Sequence, residues 1–163
     1  MPAATVSTIR FSDAVTALLA ALASAAPLAG VTIADGPSPT AAADSDFIIV
    51  GHDGSLDADG ALSGITQAGS LTQAWLEFRA LKDETGHIHC VAVSQTGDAT
   101  DLPARRARAQ VLVAACEDAA LAAGVVSGLQ FEGTEDAAIA YRQLGQGLAV
   151  MIPFTIGYST QWS

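Results

Sequence analysis

The sequence predicts an α+β fold, a mostly antiparallel sheet with two helices packed on one face. Three observations carry this expectation. Two helical segments, 12–26 and 101–123, stand far apart in the chain. Between them Leu71–Leu81 and His87–Gln95 are strand-like runs close enough to form a hairpin. Near the end, Leu148, Val150, Ile152, Phe154, Ile156 and Tyr158 alternate along Leu148–Ser159 and share one face. The order helix, strands, hairpin, helix, strands is that of an α+β domain.

Met1–Arg10 is a small-residue arm without periodicity, expected to be flexible. Ser12 or Asp13 is placed to cap the first helix, and Pro27 and Gly30 end it. Val15, Leu18, Leu19 and Leu22 form one helical stripe, which suits a surface helix better than a signal-peptide core. Val31–Ala34 reads as a short strand and Asp35–Asp44 as a turn-rich loop. Asp46–Gly51 is an apolar run suited to a central strand. His52–Ser70 is a long loop rich in Gly, Ser and Asp, a length that usually marks function or mobility.

In the hairpin, Lys82–Gly86 is the expected turn, with Ala74, Leu76, Phe78 and Ala80 on the core face and Trp75, Glu77 and Arg79 opposite. The second helix offers Ala104, Ala107, Val111, Leu112, Ala115 and Ala119 as its apolar stripe, with Arg106, Gln110, Val113 and Glu117 opposite. Pro103 is tolerated in its first turn, where a missing N–H costs little. Ser127–Glu132 and Ala137–Gln143 read as strands, and 144–147 as a turn. Pro153 interrupts the last strand, which is therefore expected at an edge or bulge, open to a neighbouring subunit.

The length, 163 residues, fits a single domain over 1–163 with one core. Half the residues are apolar but only 6% are aromatic, so the core is expected to rest on small side chains anchored by Trp75, Phe78, Phe131, Tyr141, Phe154 and Tyr158. The net charge of −10 argues against a nucleic-acid-binding surface, which needs a basic stripe. Charge is segregated along the chain. No Lys or Arg lies between Arg10 and Arg79, while Asp13, Asp35, Asp44, Asp46, Asp53, Asp57, Asp59 and Glu77 do. The one dense basic patch is Arg105, Arg106 and Arg108, in the first turns of a helix, where partial positive charge already resides. Asp98, Asp101 or an acidic surface on a neighbour must offset it. An acidic half and one basic turn can meet head to tail between identical subunits; a solvated acidic face with an intrachain ion pair is the alternative.

Cys90 and Cys116 lie in apolar runs without CxxC spacing and read as buried thiols. No apolar run reaches the roughly 18–20 residues needed to span a bilayer. No GxSxG, P-loop, HExxH or zinc-finger spacing occurs. His87 and His89 share a strand face and with His52 could hold a metal; a polar strand end is the plainer reading. No catalytic residue, cofactor or metal is therefore assigned.

Thr96-Gly97-Asp98, Asp101 and the Ala/Arg-rich helix Ala104–Glu117 resemble a segment of the tail terminator proteins of long-tailed bacteriophages infecting actinobacteria. Ala149, Ile152, Pro153, Phe154, Thr155 and Ile156 resemble that family's last strand, and Leu28–Val31 with Asp35–Pro37 its N-terminal pattern. The resemblance implies a non-enzymatic α+β virion protein that assembles as a hexameric ring. Such a ring caps the tail tube, ends its polymerisation and offers the head-joining surface. The implied partners are further copies of the chain, the major tail tube protein and a head-tail connector protein, with DNA only as cargo through the lumen and no membrane. Candidate subunit or tube contacts are Arg105, Arg106, Arg108, Asp53, Asp57, Asp59 and Pro153, with His52–Ser70 or Lys82–Gly86 ordering against the tube. Alternatives are another connector, neck or tail-completion protein, or a small enzyme or metal-binding domain using His52, His87 and His89.

Overall fold

A computed structural model describes residues 10–36, 45–59, 61–76, 81–98, 100–126, 128–144 and 147–162. Residues 1–9 of the N-terminal arm, residues 37–44 of the expected loop, and Glu77, Phe78, Arg79 and Ala80 lie outside the described residues. Two helices, α1 (Phe11–Ser24) and α2 (Leu102–Ala122), accompany eight strands: β1 (Thr32–Asp35), β2 (Ser45–Val50), β3 (Gly69–Leu76), β4 (Leu81–Thr96), β5 (Val125–Val126), β6 (Leu129–Glu135), β7 (Ala140–Leu144) and β8 (Gly147–Trp162). The strands form one sheet in the order β1-β2-β4-β8-β6-β5, with β3 also on β4 and β7 also on β8. Among the described residues only β1 and β2 pair in parallel. The architecture is the expected α+β class.

The sheet is organised by β4 and β8, which run antiparallel from Lys82↔Trp162 to Thr96↔Leu148. Each is flanked on its outer side by two shorter strands placed end to end. β3 and β2 divide the outer edge of β4, and β6 and β7 divide that of β8. The alternation seen in the sequence sets the two faces. Ile88, Cys90, Phe154, Ile156 and Tyr158 turn toward the helices and pack with Leu18, Leu22, Leu112 and Cys116. Phe47, Ile49, Val91, Val93 and Met151 form a smaller cluster on the opposite face, under Leu62 of the loop after β2.

Several expectations are corrected. Lys82–Gly86 is not a turn: it lies inside β4, and the antiparallel pairing of β3 with β4 runs out to Leu76↔Leu81. The long β8 partner needs those residues as ladder, which outweighs their turn-like composition. Ala74, assigned to the core face, is exposed. Trp75 and Tyr141 are not core anchors; they are 67% and 53% exposed. β8 is central rather than an edge, and Pro153 pairs with Val91 of β4. Its carbonyl accepts from Ala138 N–H at 3.0 Å, in the gap between the ladders of β6 and β7. Nitrogen and carbonyl of one strand residue point the same way, so the missing N–H faces that gap and costs β4 no bond. On α2, Ala104, Ala107 and Val111 face outward, and Ala109, Leu112, Ala115, Cys116 and Ala120 are buried.

The first helix is not capped by Ser12 or Asp13. Arg10 is its N-cap, and the backbone N–H of Arg10 donates to the Glu84 carboxylate at 3.1 and 3.2 Å. Glu84 is fully buried. It also accepts from Gln73 Nε2 at 2.6 Å and from the Tyr158 hydroxyl at 2.7 Å. A carboxylate at a helix N-terminus meets its partial positive charge. Burial, the hydrogen bond to Glu84 and that group's charge all push the Tyr158 hydroxyl above its ordinary pKa. The Tyr158 ring reaches Glu84 by lying across Gly86, where a Cβ would stand 2.6 Å from the ring. Phe11 packs on the same ring, with centroids 6.3 Å apart. One buried carboxylate therefore joins α1, β3, β4 and β8.

Replacing Glu84 with Ala removes the acceptor of the buried Tyr158 hydroxyl, at about 1–3 kcal/mol, and loosens the start of α1 from the sheet. Glu84→Ala is expected to lower unfolding free energy by about 3 kcal/mol, and Glu84→Gln by less, in urea titrations. A change within about 0.5 kcal/mol, the size of a surface substitution, would contradict the role given to Glu84.

Candidate functional site

The sequence leaves open what offsets three arginines at a helix N-terminus. The structure answers from within the chain. Asp46, at the head of β2, accepts from Arg108 Nε at 2.7 Å and from Ser94 Oγ at 2.6 Å. Arg105 Nη1 donates to Ser94 Oγ at 3.1 Å and lies 3.9 Å from Asp46. Arg105 Nε donates to Asp101 at 3.1 Å. Two carboxylates thus face two guanidiniums across the α2 entrance, and their pairing fixes the rotation of α2. With Arg105 and Arg108 turned toward β2, Ala107 and Val111 must point away. The turn before the helix is closed by Asp98, whose carboxylate accepts from Thr100 Oγ1 at 2.7 Å and Thr100 N–H at 2.9 Å. These two hydrogen bonds hold Asp98 below the usual carboxylate range. Beside the network lies an open groove of about 530 Å³ lined by Ala29–Thr32, Ser45, Gln95 and Thr96 as well as the ion pairs.

Arg106 differs from its neighbours. It leans along the surface to the Tyr141 hydroxyl, 3.1 Å from Nη1. Beside it the outward side of α2 carries Ala107, Gln110 and Val111, all exposed.

On the opposite face of the sheet the segment after β2 is ordered by Asp53. Its carboxylate accepts from Ser55 N–H and Thr66 Oγ1, both at 2.9 Å, and from Gln67 N–H at 3.2 Å. Burial raises the Asp53 pKa, but those hydrogen bonds outweigh it and hold the group well below the usual carboxylate range. His52 is fully buried beneath. Its Nε2 lies 2.8 Å from the Ser63 carbonyl, and its Nδ1 accepts from Gly54 N–H at 2.9 Å. That pattern requires the tautomer with hydrogen on Nε2. Gly54, at φ +81°, lies against Pro153, where a Cβ would collide with the proline ring. Leu56 and Leu62 bridge, and Asp57 Oδ1 accepts from the N–H groups of Asp59 and Ala61, both at 2.9 Å. The loop is thus built rather than structureless. Its outer surface exposes Leu56, Asp57, Asp59 and Ile65, the last at 89%.

The candidate contact residues therefore divide. Arg105 and Arg108 are held by Asp46 and Asp101, Asp53 organises its own loop, and Pro153 lies inside the sheet. Arg106, Asp57 and Asp59 remain on the surface. Sequence reasoning missed Asp46 as an intrachain partner and Ser94 as its bridge. The available signal was a lone carboxylate heading an apolar strand. Of the histidines, His52 spends both ring nitrogens inside the loop, and His87 Nδ1 lies 3.8 Å from Glu135. Among the described residues no three His, Cys, Asp or Glu side chains converge as metal ligands. Cys90 and Cys116 are free and buried. Burial pushes the Cys116 thiol up to about 12 and the Cys90 thiol higher still, so neither presents a thiolate at neutral pH.

Asp46→Ala leaves two part-buried guanidiniums without their shared carboxylate and is expected to cost about 1–3 kcal/mol by denaturant titration. A loss below about 0.5 kcal/mol would show that solvent replaces Asp46 without penalty. Asp53 has a folded pKa below its ordinary 3.8, so its stabilisation is present above that value and fades as pH falls through the folded one. The stability gap between the wild type and Asp53→Ala should therefore be widest near neutral pH and shrink below about pH 4. A gap that does not change with pH would refute this.

No family model and no curated protein matches the chain. Among solved structures, the fold is similar to that of a chain in a particle described as the virion of a native gene transfer agent. The TM-score is 0.51 at 14% identity, over 89% of this chain and 93% of that one.

Proposed function

We propose that this protein is a structural component of a phage-like virion, and within it a tail terminator. In this reading identical copies close into a ring, with six copies expected, at the head-proximal end of the tail tube. The ring stops tube polymerisation and offers the surface to which a head-tail connector protein joins. The observation that carries the reading is the likeness in fold, over nearly the whole length of both chains, to a component of a virion particle. The resemblance of 94–117 and 147–158 to tail terminators narrows it to this role.

The physical surface supports a part that assembles. The chain carries −10 net charge, and two of its arginines are engaged with Asp46 or Asp101. A ring of such subunits repels the DNA that passes through its lumen, so DNA is cargo and not a ligand. Exposed apolar side chains on both the α2 side and the loop side suit contacts with neighbours. The chain is assigned no reaction: His52 is committed to loop order and both thiols are buried.

Light scattering across protein concentration, with electron microscopy of the same sample, tests the reading. A ring near six times 16.5 kDa is expected. Added to a polymerising tail tube protein, it should shorten tubes and appear at one end only. Rings that ignore tube ends but bind the head-side connector would point to a neck protein instead. A monomer that neither assembles nor alters tube growth would overturn the proposal.

A further inference from the structure

We infer that the subunits contact one another head to tail, the loop residues 55–59 and 61–65 of one copy seated on the outward face of α2 in the next. The inference deepens the ring reading and rests on it. Two surfaces carry it. On the loop, Leu56 is 48% exposed and Ile65 89% exposed, and Asp57 and Asp59 stand beside them. On α2, Val111 is 50% exposed next to Ala107, and Arg106 with Tyr141 borders them. Each patch pairs an apolar centre with a charged rim, and the rims have opposite sign. A large exposed aliphatic on a small, flat Ala/Val helix surface excludes water at the centre. Asp57 and Asp59 are then placed to meet the Arg106 guanidinium at the edge.

The occupant is a second copy of this chain because the patches cannot meet within one. The loop covers one face of the sheet through Leu62, and α2 covers the other through Leu112 and Cys116. A contact between opposite faces of identical subunits is heterologous: each copy uses both patches, and repetition closes a ring or extends a filament. Both surfaces are pre-formed. The loop is fixed by Asp53 and Asp57, and the helix rotation by Asp46, so association does not first require ordering them.

The test uses Ile65→Asp and Val111→Asp, both at exposed positions, with thermal melts to confirm that each variant folds. Sedimentation velocity from micromolar to near-millimolar protein follows assembly. Each variant alone should dissociate the wild-type assembly or shift its midpoint concentration at least tenfold. Mixed together they should form a dimer and stop there, because each supplies the one patch the other lacks. Arg106→Glu should weaken assembly, and adding Asp59→Arg should restore it. Dissociation by Val111→Asp but not by Ile65→Asp would overturn the inference in favour of α2 meeting α2. Intact rings in both variants would overturn it while leaving the ring reading standing. A wild-type chain that stays monomeric throughout would overturn the inference, and the ring reading with it if the chain also leaves tube growth unchanged.

Discussion

Every other element in this molecule is hung on the antiparallel pairing of β4 with β8. Both strands are 16 residues long, and their shared ladder brings residues from opposite halves of the sequence into one plane. Once that register is set, side-chain alternation leaves little choice. Ile88, Cys90, Phe154 and Ile156 must face the helices together, and Val91, Val93 and Met151 must face the other way. A one-residue slip would exchange the two sets. The buried carboxylate of Glu84 guards against it. It meets Tyr158 across the pair and the start of α1 above, and a one-residue slip would carry that hydroxyl to the other face.

Charge is the second organising feature. Arginines near a helix N-terminus oppose the helix dipole, and an isolated helix would be weakened by them. Here Arg105 and Arg108 reach past the helix end to Asp46 on β2 and Asp101 before the helix. The unfavourable local placement becomes a tether between α2 and the sheet. The tether turns the Ala107 and Val111 side outward, although the helical periodicity made it an equally good candidate for the core. An alanine-rich helix has no bulky stripe to decide its own rotation, so the ion pairs decide it.

That explains what was legible in the sequence and what was not. The two helices and the inward face of β8 were readable because their signals are local: period, alternation and breakers. The expected pairing of Leu71–Leu81 with His87–Gln95 was not, since β3 runs against Leu81–Ile88 and Cys90–Gln95 pair with β2 instead. The hairpin turn was misplaced because Lys82-Asp83-Glu84-Thr85-Gly86 has turn composition, yet β8 supplies a ladder partner for each of those residues. Pro153 suggested an edge because a proline lacks an N–H. The sheet instead accommodates it by leaving a gap between β6 and β7 opposite that nitrogen. Trp75 and Tyr141 looked like anchors by size alone, but β3 and β7 each flank only half of a long strand and leave a face to solvent. At the candidate site the acidic interval and the basic turn were visible as charges. Their partners were not, since the pairing of Asp46 with Arg108 joins positions 62 residues apart.

A sheet covered on one face by helices and on the other by a loop has its two coverings pointing in opposite directions. Neither covering is finished. The helix side ends in a flat surface of small apolar groups with Arg106 at its border, and the loop side ends in Leu56 and Ile65 with carboxylates beside them. In a monomer these features conflict with one another: apolar side chains stay wet while the loop beneath them is held rigid by Asp53 and Asp57. Rigid presentation of exposed aliphatics has no benefit for an isolated chain, because a mobile loop could fold them back onto the sheet. It does have one for a subunit that must meet an identical neighbour in a fixed orientation, where ordering has already been met during folding and is not charged again on contact. In the proposed ring, the Asp53 that orders the loop would therefore link the stability of the fold to assembly.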